Sequence, residues 1–594
     1  MAASIRLRKS GKPTRLEEGT LPPPEGLNTL DSGPLMPQTD AVELYNMIRD
    51  ELGLRTRLGS QEWNTGLTGN ANNEVRTMIP FQGSTTTVLF AATSTGIYNC
   101  TAQGVIGAKV ATFATATGLA GYGTSVMMSS PAGRFCLYVD EVNGYWVYTE
   151  GTATWVQVVN AASTAWANGT AYLLNATVTN NGVTYKCTTA GTSDVAPATG
   201  PNGTGVGIAD GTAVWAYTPS MSGLDPASAV HITVWKSRVW VVERNSTRAW
   251  FLGVNALFGP ASPVDFGVKA RAGGTLIGLW NWSYDGGAGL DTLLAGVTTG
   301  GDVIIYAGTN PALSTSFSIK GCWYVGPPPV GRRCCTEFGG DLLVLGSLGL
   351  VPMSKLVVGD SALDRSQYLT AKVQNLINYT LSVYGSVPGW QVVAHPQDNC
   401  LMVVVPPGSG GVNGQLVMSF ATKGWSQYRD LPILHAATFN GVLYFGTPDG
   451  RVMQNVGYVD GITLAAPANY VPVAFSLVTS FWNGGTVRRK QVRRIQPTFI
   501  AQGNPPTFNC QARYGYNLSE ADSPAATAAA AAAASWDTAK WDQGLWAGSY
   551  FPLTAVQGSN GGSNRDVAIA IAGYASSRTS LVKIDVLLEQ GGQM

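Results

Sequence analysis

Phe439-Asn440-Gly441-Val442-Leu443-Tyr444-Phe445-Gly446 runs into a turn at Asp449-Gly450 and re-emerges as Arg451-Val452-Met453. An apolar run closed by an Asp-Gly pair reads as a β-hairpin. Upstream, Phe338-Gly339-Gly340-Asp341-Leu342-Leu343-Val344-Leu345-Gly346 echoes it and continues into Gly349-Leu350-Val351. The same grammar recurs in Thr87 to Ala92 with Ile97-Tyr98, and in Arg134 to Val139, which turns at Asn143-Gly144 into Tyr145-Trp146-Val147-Tyr148. Arg238 to Val242 with Ala249-Trp250-Phe251 repeats it again. Hairpins spaced by about 40–60 residues, without helices between them, predict the blades of a β-propeller. A series of β-sandwiches is the alternative.

Composition agrees with an all-β reading. The chain has 594 residues, 45% hydrophobic and 12% charged, with 72 glycines. The charged fraction is about half of the ~25% usual in globular proteins. Glycine turns, threonine, valine and aromatics favour pleated structure over helix. A formal net charge of +1 gives no global field to recruit nucleic acid or an anionic membrane. No apolar run is long enough to cross a bilayer as a helix, and the amino-terminal stretch does not read as a secretory signal.

Breaks in the rhythm divide the chain. Residues 1–60 read as an extended, proline-rich arm for assembly, with Pro22, Pro23, Pro24, Pro34 and Pro37 fixing an extended path. Asp40 is placed to cap a short amphipathic helix with Val42, Leu44, Tyr45, Ile48 and Leu52 inward, although Tyr45-Asn46 also suits a strand. Residues 61–159 and 219–468 form the two parts of the propeller. A helix from Asp364 to Ile377, with Leu369, Val373, Leu376 and Ile377 on one face, interrupts the second part. Residues 160–218 are expected as a small β module inserted in a surface loop, and residues 469–594 as a carboxy-terminal β domain.

The residues offer little catalytic chemistry, and the chain is expected not to be an enzyme, with no cofactor and no metal. Cys100, Cys136, Cys187, Cys322, Cys334, Cys335, Cys400 and Cys510 contain no Cys-x-x-Cys pair and are expected as small buried hydrophobes. His231, His395 and His435 do not sit at metal-ligand spacing. Propellers host glycoside hydrolases, which need two facing carboxylates. Asp285, Asp291, Asp302, Asp341, Asp398 and Asp449 are available, but most fall in glycine turns where Asp is common. Ser535-Trp536-Asp537-Thr538 begins like a sialidase Asp box and then departs from it.

Two clusters remain as binding candidates. In the insert, Trp166, Tyr185 and Trp215 are candidates to stack on a glycan, or else to fill a small core. Arg488-Arg489-Lys490-Gln491-Val492-Arg493-Arg494 is the densest basic run. Strand alternation predicts Arg489, Gln491 and Arg493 on one side and Arg488, Lys490 and Arg494 on the other. That cluster faces DNA phosphates, or else it is a solvated or subunit-facing edge.

Several segments resemble the tail nozzle proteins (tail tubular B, or portal-vertex stabilisation proteins) of short-tailed phages. They are Gly26-Leu27-Asn28 with Pro34, Pro37, Asp40-Ala41, Asn46 and the Arg57-x-Gly59 return, then Leu89 to Tyr98, then Lys423-Gly424-Trp425-Ser426. Phe439 to Gln454, Arg493-Arg494-Ile495-Gln496-Pro497, and Ile584-Asp585-Val586 to Gly591-Gly592 complete the set. The 160–218 insert departs from that pattern and resembles small carbohydrate-binding, chitin-binding-like modules of phage tail proteins. The resemblance implies a virion protein of the tail, assembled in the host cytoplasm. It implies a homo-oligomeric, hexameric ring beneath the tail adaptor of the portal, near tail fibres or spikes. Its lumen would retain and then pass double-stranded DNA during genome ejection. The competing expectation is a receptor-binding tail protein that reads a host surface glycan through the insert.

Overall fold

Seven small sheets are set around a common axis. The structure, a computed structural model, describes residues 15–66, 73–152, 154–285, 290–313, 315–357, 368–407, 414–524, 550–554, 557–558 and 562–590. Blade 1 comprises Thr77–Gln82, Thr87–Thr93, Gly96–Asn99 and Lys109–Thr112. Blade 2 comprises Gly123–Ser130, Gly133–Asp140, Gly144–Thr149 and Trp155–Gln157. Blade 3 is Ala229–Trp235, Arg238–Glu243, Arg248–Val254 and Ser262–Asp265, and blade 4 is Leu276–Asp285, Leu290–Thr298, Asp302–Gly308 and Phe317–Tyr324. Blade 5 has three strands, Cys335–Phe338, Asp341–Gly346 and Gly349–Pro352. Blade 6 is Gln391–His395, Cys400–Val404, Gln415–Ser419 and Trp425–Tyr428.

Blade 7 closes the circle. His435–Phe439, Val442–Gly446 and Val452–Gln454 come from late in the propeller, and the next strand outward, Gln61–Thr65, comes from before blade 1. The first strand of each blade neighbours that of the next, and the first strand of blade 7 returns to Thr77–Gln82. Closure by a strand from the other end of the fold leaves the ring without a seam. Each predicted hairpin is present, including Gly446↔Val452 across the Asp449-Gly450 turn and Gly346↔Gly349.

The segment expected as an extended arm for assembly is, from Arg15 onward, woven into the body. Arg15–Leu21 pairs antiparallel along Arg578–Gln590. Asp40–Tyr45, expected as a helix, is a strand with a register shift between Ala41 and Glu43, which places Ala41 and Leu44 in the large core and Val42 against a separate cluster. It lies between Trp425–Tyr428 of blade 6 and Val471–Thr479. Tertiary pairing overrides helical periodicity here, because two neighbouring strands present open ladder groups that only an extended segment satisfies. Asn46 then takes a left-handed turn (φ 56°), and Met47–Arg49 and Leu54–Thr56 form a hairpin whose second strand pairs with Arg578–Gln590.

The carboxy-terminal β domain is a sandwich. One layer contains Lys490–Gln502 and Arg578–Gln590; the other contains Val471–Thr479, Thr507–Tyr514 and Val567–Ala575. Phe475, Phe499 and Phe508 meet between the layers, with ring centroids 6.0 and 4.8 Å apart. Residue 469 therefore does not separate the sheets. One ten-stranded sheet runs from blade 6 through Asp40–Tyr45 into the sandwich.

The predicted mid-chain helix is displaced. Ala371–Val373 is a 3-10 turn and Gln374–Tyr384 the α-helix, so Leu376 and Ile377 lie near its start; Asp364 is outside the described residues. With Met353–Val357 the helix packs on the three-stranded blade 5, placing Met353, Leu356, Val373 and Ile377 in the large core.

Candidate functional site

The insert sits between blades 2 and 3. It is tethered where Val159–Asn160 and Ser220–Ser222 pair in parallel, and Ser220–Ser222 pairs in turn with Gly259–Pro260 of the blade 3 loop. Its main sheet contains Thr177–Asn180, Val183–Thr189, Ala213–Tyr217 and Val206–Asp210. Tyr172, Val178, Tyr185, Cys187, Ala213 and Trp215 form its own core.

That core corrects the glycan assignments. Trp215 is fully buried, its ring edge-on to Tyr172 at 4.9 Å, and its Nε1–H donates to Asp210 Oδ2 at 2.9 Å. Tyr185 is buried with its hydroxyl donating to the Gly203 carbonyl at 3.1 Å. A ring inside a core has no free face for a sugar. Trp166 is half-buried, donates to the same Asp210 oxygen at 2.7 Å, and lies against Gly200, where a Cβ would come within 2.6 Å of the ring. Asp210 also accepts from the Asp194 N–H, so one carboxylate organises three segments. Sequence reading missed Asp210, since its Asp-Gly context resembles any turn. The exposed apolar side chains of the module are Leu173, Leu174, Val195 and Val206.

The propeller channel is stoppered by two adjacent arginines that precede blade 5. Arg332 Nε donates to Glu141 Oε1 at 2.7 Å, and its NH1 donates to the Leu276 and Ile277 carbonyls, spanning blades 2 and 4. Arg333 donates to the Gly123 and Arg76 carbonyls and to Thr77, joining blades 1 and 2. Burial pulls the Arg333 guanidinium down to about 10, which leaves it charged at neutral pH. His231 and His435 line the same channel from the first strands of blades 3 and 7. His435 Nδ1 accepts from the Met78 N–H at 3.0 Å, and His231 Nδ1 from the Leu279 N–H at 3.4 Å, so each histidine latches one blade to the next. Burial lowers both histidines, His231 to about 3.

The candidate carboxylates have structural partners. Asp302 accepts the Arg271 and Ala272 N–H groups, Asp341 holds Ser354, and Asp449 pairs with Arg451. Asp398 pairs with Arg55 at 2.7 Å and accepts from the Tyr428 hydroxyl. The side chains of Asp285 and Asp291, and Ser535 to Thr538, lie outside the described residues. Among the described residues no three His, Cys, Asp or Glu side chains gather at metal-binding distance. All eight cysteines are unbridged, and Cys334 and Cys335 hold their sulfurs 3.7 Å apart.

The basic run begins Lys490–Gln502. Its side chains do not follow simple alternation. Lys490 is fully buried, and its ammonium donates to the carbonyls of Thr486, Arg488 and Arg565. A register shift between Val492 and Arg494 makes Arg493 the bulged residue. The bulge resets the phase, so Arg494, not Arg493, shares the outward face with Arg489 and Gln491, while Val492 and Ile495 point inward. Arg493 pairs with Glu589.

The fold and these sites can be set beside known proteins. Residues 165–216 match carbohydrate-binding module family 5/12, a match confined to the insert. No curated protein matches the chain. Solved structures similar to it include the computationally designed Ika8 protein (9% identity, 67% of this chain and 99% of that chain, TM-score 0.32). They also include the C-terminal WD40 domain of Sif2 (10% identity, 75% and 100%, TM-score 0.29) and YCF48 from Cyanidioschyzon merolae (9% identity, 67% and 98%, TM-score 0.26). The propeller assignment rests on the closed ring of sheets.

Proposed function

We propose that this chain is a structural subunit of the nozzle ring of a short phage tail, whose assembled lumen retains and then passes double-stranded DNA. The supporting observation is convergence. The segments that resemble nozzle proteins are far apart in sequence, yet most of them meet in one structure. Asp40–Tyr45 bridges the Trp425–Tyr428 strand to the sandwich, and Leu54–Thr56, Lys490–Gln502 and Arg578–Gln590 are adjacent strands of one sheet.

Arg57 fastens this unit. Its guanidinium is buried and bridges both oxygens of Asp460 at 3.0 and 2.6 Å, while Nε donates to Asn46 Oδ1 at 2.9 Å. Gly59 allows the close return, since a Cβ there would lie 2.0 Å from the Val459 carbonyl oxygen. With Arg332 and Arg333 bridging across the channel of each propeller, the conduit in this reading lies between subunits rather than through one of them. Imaging of purified particles tests the proposal: a ring of this subunit beneath the portal is expected, and its absence from the tail overturns it.

A glycan-adhesin reading is favoured by the family match at residues 165–216. Deletion of residues 160–218 separates the two. The nozzle reading expects intact rings and DNA retention. Loss of adsorption alone makes adhesion the primary role.

A further inference from the structure

Antiparallel pairing of Lys490 with Asn564, closed by hydrogen bonds in both directions, sets Arg489 opposite Arg565 one step further out. Both side chains are exposed. Like charges directly across a strand pair are destabilising. The backbone nevertheless holds this arrangement rigidly, because the buried Lys490 ammonium gathers the carbonyls of Thr486, Arg488 and Arg565 around one point. Arg488 flanks the pair, and the bulge at Arg493 brings Arg494 onto the outward face.

Neighbouring acids are already engaged. Glu589 pairs with Arg493, Asp585 with Lys583, and Asp566 lies against the Tyr516 hydroxyl. Among the described residues no carboxylate comes within ion-pair distance of Arg488, Arg489, Arg494 or Arg565. Four exposed guanidinium groups therefore lie along about 20 Å of this strand and its neighbour, at about 3.3 Å per residue.

We infer that this strip, Arg488, Arg489, Arg494 and Arg565 arranged around buried Lys490, is a phosphate-contacting surface for double-stranded nucleic acid. The guanidinium fork suits phosphate oxygens. The contact carries no base readout, as expected where a duplex must be held in any register. Apart from Val487 the strip is polar, whereas subunit interfaces centre on aromatic and large apolar anchors. The inference rests on the nozzle reading and names where its DNA is touched.

The test uses the full chain and a mixed-sequence duplex of about 20 base pairs, with affinity followed by fluorescence anisotropy across salt concentrations. Each phosphate contact contributes about 0.9 to the slope of log affinity against log salt. Replacing all four residues with glutamine is expected to flatten the slope by about 3–4, while the four Arg→Lys changes preserve most of it. An unchanged melting temperature for the glutamine variant shows that it folds. A slope insensitive to the glutamine changes, or wild-type protein that does not bind duplex at low salt, overturns the site. A glutamine variant that binds duplex normally but loses its oligomeric state assigns the strip to a subunit contact and also overturns it. The two proposals fail separately. A ring seen in particles with an unaltered slope sinks only the strip, and salt-dependent binding by a protein absent from tails sinks only the nozzle reading.

Discussion

The body and the insert are built on opposite plans. The body is stitched from both ends of the chain. Gln61–Thr65 completes a blade whose other strands begin at His435, and Arg15–Leu21 lies on Arg578–Gln590. The insert folds almost wholly on local pairs, such as Thr177–Asn180 with Val183–Thr189, and joins the body through two short parallel strands. Tyr217 stands against Phe258 of the blade 3 loop at 6.3 Å. One design spreads any local damage through a common core; the other confines it.

The sharpest way to break this contrast is Arg57→Ala. It leaves the Asp460 carboxylate with its Ser60 bonds but no countercharge, and removes bonds from Asn46, Leu58 and Arg429 at once. Breaking a buried ion pair on one side costs about 3–5 kcal/mol. Differential scanning calorimetry should show the body transition falling sharply, with near-ultraviolet signals from the module unchanged.

Acid probes the blade-to-blade latches. A histidine whose folded pKa is depressed binds fewer protons folded than unfolded between its two values. Stability is therefore complete above about 6.5 and falls as pH drops toward about 3 for His231. At pH 5 that one site accounts for about 2 kcal/mol. Denaturant titrations at pH 7 and pH 5 should differ, and His231→Gln should reduce the difference. Equal midpoints at the two pH values would discard the latch.

Within the module, Tyr185→Phe removes only the hydroxyl bond to Gly203 and is expected to cost about 1 kcal/mol of module stability. Glycan affinity should stay unchanged, because the ring is a core element; a large loss of binding would restore Tyr185 as a contact residue. The smallest effect is expected from excising residues 160–218 and joining the flanks with a short glycine-rich linker. The body should keep its melting temperature within a degree or two, because closure entropy changes slowly with loop length. Loss of body folding would show that the module is not an independent unit.

Several features were legible from local chemistry. The Asn143-Gly144 and Asp449-Gly450 turns fixed their hairpins, and the change of rhythm at residue 160 marked the module. The Asp40 segment was misread because Val42, Tyr45 and Ile48 satisfy helical spacing while Val42, Leu44 and Ile48 satisfy alternation. Only the open edges of Trp425–Tyr428 and Val471–Thr479 decide between them. Trp166, Tyr185 and Trp215 were ambiguous for a similar reason, since an aromatic residue in a short β module serves a core or a ligand equally well until its burial is known. Asp210 and the stopper formed by Arg332 and Arg333 left no local signal, because their partners lie in other segments.

Local residue pattern is enough to specify an all-β chain of repeated hairpins with an inserted module and a basic run near residue 490. Hairpins and turns depend on residues a few positions apart, so their physics is written locally. Long-range packing is what closes the seven blades through Gln61–Thr65 and lays the amino-terminal segment from Arg15 onward into the body. It alone lets a bulge and a buried Lys490 turn a basic run into a strip with Arg565. Those outcomes depend on which distant backbone edges and charges meet, and pairing across hundreds of residues is set by the packing of the whole chain.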